Sequence, residues 1–206
     1  MAGDDMAGTR EASMSRRWLQ RAVVIITALS LSVGAAFAAT PRRAPQVTIS
    51  DTKDTKGVLD VRTVRLQSKG GTWFTVIMRK KWTPMKIWDR GNVFVFFDTR
   101  GDEGEEYYAL VRSDGRTLLG DLWKSKKGAP HHVATLVLSR RSGDGVTIKI
   151  PMKKLKFGKK RTTYSWWAIT AYTGTKVCRA VCFDRVPDHG SEEQPRPGFK
   201  PTVANS

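Results

Sequence analysis

Of 206 residues, only two are cysteine, three are histidine and 19 are acidic, against 36 lysines and arginines. Two cysteines are too few for a small fold stapled by a disulfide framework. The histidines, at 131, 132 and 189, make no His-Glu-x-x-His zinc motif, and the chain also lacks a Gly-x-Ser-x-Gly nucleophile elbow and a phosphate-binding glycine loop. Triad members can lie far apart in sequence, so spacing alone does not exclude one. The adjacent His131-His132 pair follows Ala129-Pro130 in a loop-like stretch and, with no third and fourth metal ligand in sight, reads as a solvated pair. The expectation is a protein that is not an enzyme. Long amphipathic helical periodicity and internal repeats are absent as well, which removes helical bundles and solenoids.

What is present is a chain of one-domain length that is 40% hydrophobic, with seven Trp and eight Phe, and a formal charge of +17. That apolar content excludes a disordered basic tail. The one long uncharged run, 22–38 (AVVIITALSLSVGAAFA), follows Arg16, Arg17 and Arg21 and ends in small residues. It reads as a secretory signal peptide spanning 1–38, starting from Met1 or Met14, with an uncleaved membrane anchor as the alternative. Four arginines against three acids make the leader worth +1, so the charge belongs to the remainder. Export would put Cys178 and Cys182 in an oxidising compartment, where a local disulfide is expected; closing so small a loop stabilises by about 2 kcal/mol or less.

Residues 39–57 read as a linker and lead-in strand, 58–187 as the domain, and 188–206, with three prolines and no periodicity, as a disordered tail. Within the domain, short apolar runs recur with turn residues between them. In Val58–Leu66 the inward parity switches, predicting an irregularity near Arg62-Thr63. Val93–Phe97 is apolar on both parities, as a doubly covered central strand requires. Asp114-Gly115 and Arg140–Gly145 mark hairpins, with the Asp-Gly pair supplying positive φ angles, and Pro151–Leu155 marks a turn or helical loop. The economical architecture is all-β: a two-sheet antiparallel sandwich, jelly-roll-like, of about eight strands.

Charge is uneven along this domain. The stretch 98–106 holds five acids and one base, and Asp98, Asp102 and Glu103 offer the hard oxygen ligands that calcium takes; an acidic loop offsetting nearby bases is the plainer alternative. Residues 145–183 hold nine bases and no acid, seven of them between 149 and 161. Lys153, Lys154, Lys159, Lys160 and Arg161 therefore form a candidate surface for polyanions, or a solvated basic edge that deters sheet pairing. Trp166-Trp167 on one strand must send one indole to each face, and Trp82 and Trp88 bracket a loop-like segment. Trp82, Trp88, Trp123 and Trp166 are the candidates for stacking on sugar rings.

In order along the chain, Gly57-Val-Leu-Asp-Val61, Trp82 before a strand ending Phe97-Asp98-Thr99 with Gly101-Asp102, Ile150-Pro151 with Leu155, Tyr164-Ser-Trp-Trp-Ala168, and Cys182-Phe-Asp-Arg-Val-Pro-Asp188 resemble secreted bacterial β-sandwich domains of the carbohydrate-binding-module family 9 and DOMON-like group. The resemblance covers roughly 51–190. It implies a non-catalytic jelly-roll-like sandwich with sugar as ligand, or haem held by a Met or His pair such as Met78, Met85 or the histidines, and sometimes a structural calcium. The expectation is a secreted recognition module requiring no cofactor, with exposed Trp and a basic loop binding a glycan or anionic surface polymer. Nucleic acid is disfavoured as its physiological target by the leader. The alternative is a structural or protein-interaction sandwich without a carbohydrate ligand, held at the membrane if the leader stays.

Overall fold

A computed structural model describes residues 46–102, 104–126 and 129–198 of the chain; the leader, residues 1–38, lies outside them. Two antiparallel sheets share one core, as the strand pattern predicts. The first sheet runs β1 (Gln46–Ser50), β2 (Val61–Gln67), β3 (Thr72–Met78), β9 (Gly145–Ile150), β8 (Val137–Ser139). The second runs β11 (Cys182–Val186), β10 (Thr163–Tyr172), β4 (Gly91–Asp98), β5 (Tyr107–Ser113), β6 (Leu118–Lys124), β7 (His131–Thr135), with β12 (Glu192–Pro195) also paired to β10. Among the described residues no helix is long and apolar enough to cross a membrane; only one-turn pieces occur, α1 (Pro84–Ile87) and a 3-10 turn at Met152–Lys154.

Among the described residues twelve strands form rather than about eight, for two reasons. The short strand β12 pairs through backbone and carries little apolar pattern, whereas β1 is the expected lead-in strand, with Val47 and Ile49 packed against the core. The run Val133–Ser139 also divides: β7 belongs to one sheet and β8 to the other, and buried Leu136 turns the corner, its N–H donating to the Gly120 carbonyl at 2.8 Å. The tail expected to be disordered from 188 supplies β12, with Gln194 buried against β10. Likewise His131-His132, expected in a loop, opens β7.

Local chemistry explains most of the irregularities. The ladder between β2 and β3 shifts register between Val61 and Thr63, which lets Val61, Val64 and Leu66 all face inward despite their mixed parity. In the β5–β6 turn only Gly115 has a positive φ, at 93°; Asp114 instead accepts from the backbone N–H groups of Arg116 and Thr117 at 2.8 and 2.7 Å. The Asp114 N–H also donates to the Thr117 carbonyl at 3.3 Å, so the turn closes around Gly115-Arg116 with the Asp114 side chain completing it, and it has one positive φ where Asp-Gly predicts two.

Strand β10 alternates half-buried and buried without a break, and places Tyr164, Trp166, Ala168, Thr170 and Tyr172 inward. Across the core, Phe74 of β3 meets Trp166 and Phe97 edge-to-face at centroid distances of 4.9 and 5.5 Å. Trp82 closes one end beneath the β8–β9 hairpin: its Nε1 donates to the Asp144 carbonyl at 3.0 Å, and the Arg140 guanidinium lies 4.1 Å over its ring. Trp166→Ala should cost about 3–5 kcal/mol, whereas Trp167→Ala on the opposite face should cost about 1 kcal/mol. Urea unfolding of the two variants checks this, and equal losses would contradict the inward assignment of Trp166.

Candidate functional site

Alternation fixes what the second sheet presents outward. With Trp166 inward, Trp167 faces out, and the register carries the row on: Trp167 opposite Phe96, Phe96 opposite Tyr108, Tyr108 opposite Trp123, Trp123 opposite His132. Five adjacent strands thus set four aromatic rings and an imidazole side by side. Phe96 stacks on Trp167 at 5.4 Å and 13°, Phe94 stacks on Phe96 at 5.7 Å, and the His132 ring meets Trp123 edge-on at 5.2 Å. The Arg185 guanidinium sits 5.2 Å over Trp167. All five aromatic side chains of this face, Phe94, Phe96, Tyr108, Trp123 and Trp167, are half-buried, shielded partly by one another. Burial, with Glu105 nearby, pushes the Tyr108 phenol up, so that ring stays neutral at pH 7. Contiguous exposed apolar patches are in general a feature of interaction surfaces.

At the β6–β7 end the row meets positive charge. A pocket of about 430 Å³ is lined by Lys124, Lys126, Lys154, Lys156, His131 and His132, beside Tyr107 and Val133, with no acidic residue in its lining. Lys124 and Lys126 come from β6 and its exit, Lys154 and Lys156 from the loop before β10. His132 belongs to both features, since its ring edges Trp123 while its Nε2 lies 3.2 Å from Asp121 Oδ1. Asp121 in turn pairs with Arg112 at 3.4 Å.

The residues singled out from sequence scatter across this geometry. Trp123 lies in the row and Lys154 in the pocket. Trp82 and Trp166 are core residues, 1% and 0% exposed, and cannot touch a ligand without unfolding. Trp88 is 49% exposed but packs over the Gly115 turn, at the other end of β5 from Tyr108. Lys153 lines a separate cavity of about 650 Å³ with an apolar floor of Ile150, Met152 and Phe157. Lys159 and Lys160 are exposed on the turn before β10. Phe94, Phe96 and Tyr108 are not among the sequence candidates, and of the Trp166-Trp167 pair the sequence put forward Trp166 where Trp167 is the one facing out; the available signal for the two phenylalanines was the double parity of VFVFF, read as burial on both faces.

Arg161 is drawn toward the acidic loop, where its guanidinium lies 3.8 Å from Asp98 Oδ2 and against Gly101, so it is not part of the open basic surface. In that loop Asp98, Asp102 and Glu106 bring one carboxylate oxygen each within 4.8 Å of one another, while Glu103 lies outside the described residues. Two of the three, Asp98 and Glu106, already have donors. Asp98 Oδ1 accepts from the backbone of Arg100 and Gly101, and Glu106 Oε2 accepts from Thr99 N and Oγ1 at 2.7 and 2.9 Å. Burial pushes the Glu106 carboxyl up, against the pull of the Thr99 bonds. The arrangement is that of a loop closed on itself. Glu106→Ala should leave the buried Thr99 N–H without an acceptor and cost about 1–3 kcal/mol in a denaturation experiment.

A second acidic group joins Asp51, Asp54 and Asp60, between β1 and β2, to Asp184 on β11. Burial first, then the charge of Asp184, pushes Asp51 up to about 8; burial, with Asp54 and Asp60 adding to it, pushes Asp184 up to about 6. Beside it, Cys178 and Cys182 form a disulfide at the entrance to β11, a bond compatible with an extracellular protein. No protein-family model, curated protein or solved structure matches this chain.

Proposed function

We propose that this chain is a secreted, non-catalytic recognition module whose aromatic outer face and adjoining lysine pocket bind an acidic glycan or a similar anionic surface polymer. The observation that carries this reading is the unbroken row Trp167, Phe96, Tyr108, Trp123 ending at His132, which itself lines the lysine pocket. Sugar rings present flat C–H faces that stack on such rings, and neighbouring carboxylate, sulfate or phosphate groups are drawn to four lysines with no acid among them. Neither half suffices for selectivity: stacking accepts neutral sugars, and charge alone accepts any polyanion. The reading is non-catalytic because the sequence carries no nucleophile elbow, zinc-hydrolase motif or phosphate-binding glycine loop. The resemblance to carbohydrate-binding sandwiches points the same way, and neither haem nor another cofactor enters the reading.

One observation favours a protein partner as the second reading. Val177, Val181 and Phe183, around the disulfide, are 59%, 49% and 63% exposed, an apolar tip distinct from the aromatic row.

Calorimetric titration with an acidic and a neutral polysaccharide at two salt concentrations separates these. The acidic polymer should bind more tightly and lose affinity with salt. Trp123→Ala and Trp167→Ala should each weaken binding of both polymers by about tenfold, while Lys124→Glu with Lys156→Glu should weaken only the acidic one and flatten its salt dependence. Absence of binding to either polymer at low salt would sink the glycan reading in favour of the protein-interaction one.

A further inference from the structure

The segment that leaves β1 carries three aspartates toward β11, where it meets a fourth. One carboxylate oxygen from each of Asp51, Asp54, Asp60 and Asp184 lies within 4.8 Å of the other three. Oxygens held about 2.3–2.6 Å from a common calcium ion are at most about 5 Å apart, so the spread is that of ligands to one ion.

Two of these side chains are taken out of water. Asp60 and Asp184 are 2% and 3% exposed. Asp184 Oδ2 accepts from Val61 N at 2.6 Å, but its Oδ1 is buried and has no hydrogen-bond partner among the described residues, and Asp51 Oδ2 is in the same position. A buried carboxylate oxygen without a donor is costly, and a sequence with 36 bases had many ways to supply one. It supplies Arg79 alone among the described residues. Arg79 Nε donates to Asp60 Oδ1 at 3.0 Å, and its Nη2 donates to the carbonyl of Asp51 rather than to its carboxylate. One guanidinium thus meets one carboxylate of four.

The donors are all hard oxygens, with no imidazole or thiolate, which disfavours zinc and copper. Four protein carboxylates at one point suit calcium, which accepts six to eight oxygens in irregular geometry, better than magnesium, which retains its waters. We propose that Asp51, Asp54, Asp60 and Asp184 form a calcium site that clasps the β1–β2 segment of the first sheet to edge strand β11 of the second. The surrounding contacts run along the same seam: Thr55 Oγ1 donates to the Phe183 carbonyl at 2.8 Å, and Thr170 Oγ1 to the Leu59 carbonyl at 2.6 Å. The ion turns a repulsive cluster on that seam into a cross-link. This site is separate from the loop at 98–106, where Asp98 and Glu106 accept from their own loop and Arg161 lies beside Asp98.

The test uses the full chain, stripped with a chelator and titrated with calcium chloride by calorimetry and by thermal unfolding. One calcium should bind per chain, and at a hundredfold excess of free ion over its dissociation constant the melting temperature should rise by about 5–10 °C. Magnesium at the same concentration should give less. Asp54→Asn, at an exposed position where folding is not at stake, should weaken calcium binding at least about tenfold, Asp184→Asn should abolish it, and Asp102→Asn should leave it unchanged. If Asp184→Asn fails to fold, Asp54→Asn decides. The proposal is overturned by the absence of any calcium effect on the wild-type chain, by binding unaffected by Asp54→Asn, or by loss of binding in Asp102→Asn alone.

Discussion

The wedge of Phe74 against Trp166 and Phe97 is the contact on which the sandwich depends. It joins β3 of one sheet to β10 and β4 of the other in edge-to-face geometry, and it fills the middle of the core with large rings. Once Trp166 is committed inward, every other residue of β10 is assigned: Trp167 and Ile169 must face out. The ladder then transmits that parity from strand to strand, because residues opposite one another in an antiparallel pair share a face. The aromatic outer row is thus a consequence of the core contact. A one-residue slip of β10 would exchange the two indoles and destroy both the wedge and the row.

Electrostatics follow the same architecture. With 36 bases in the chain, the few acids are used with economy and largely at seams. Asp98 and Glu106 close a loop over the end of β4, Asp144 holds Arg62 from the β8–β9 hairpin, and Asp60 with Asp184 lies where the two sheets meet beside the disulfide. The lysines from the 149–161 stretch stand on the outside. Lys154 and Lys156 meet Lys124 and Lys126 at one pocket, although some 30 residues of sequence lie between the pairs. The lysine pocket is therefore assembled from two segments, and it adjoins the aromatic row through His132.

Much of the fold was legible in the chain. The period-two runs, the parity break at Arg62-Thr63 and the Pro151 interruption all correspond to features of the sandwich, since each reflects a local backbone requirement. Strands that pair chiefly through backbone were not legible: β12 has almost no apolar residue, and its place beside β10 comes from an available edge. The site was less legible than the fold. Trp82 looked like a loop residue because its neighbours are polar, yet the β8–β9 hairpin, some 60 residues on, folds over it and supplies its hydrogen-bond acceptor.

The sequence alone determined the class, all-β with two packed sheets, and the certainty that one of two adjacent tryptophans must face away from the core, because alternation is a property of the strand backbone. It also determined where charge is concentrated along the chain. Which indole faces out, which phenylalanines join it, and which aspartates converge were decided only by tertiary structure. Those outcomes depend on register between strands distant in sequence, and on the β1–β2 segment bringing Asp51, Asp54 and Asp60 against Asp184 more than a hundred residues away. A charge's sign is written locally, whereas its neighbours are set by how the sheets close.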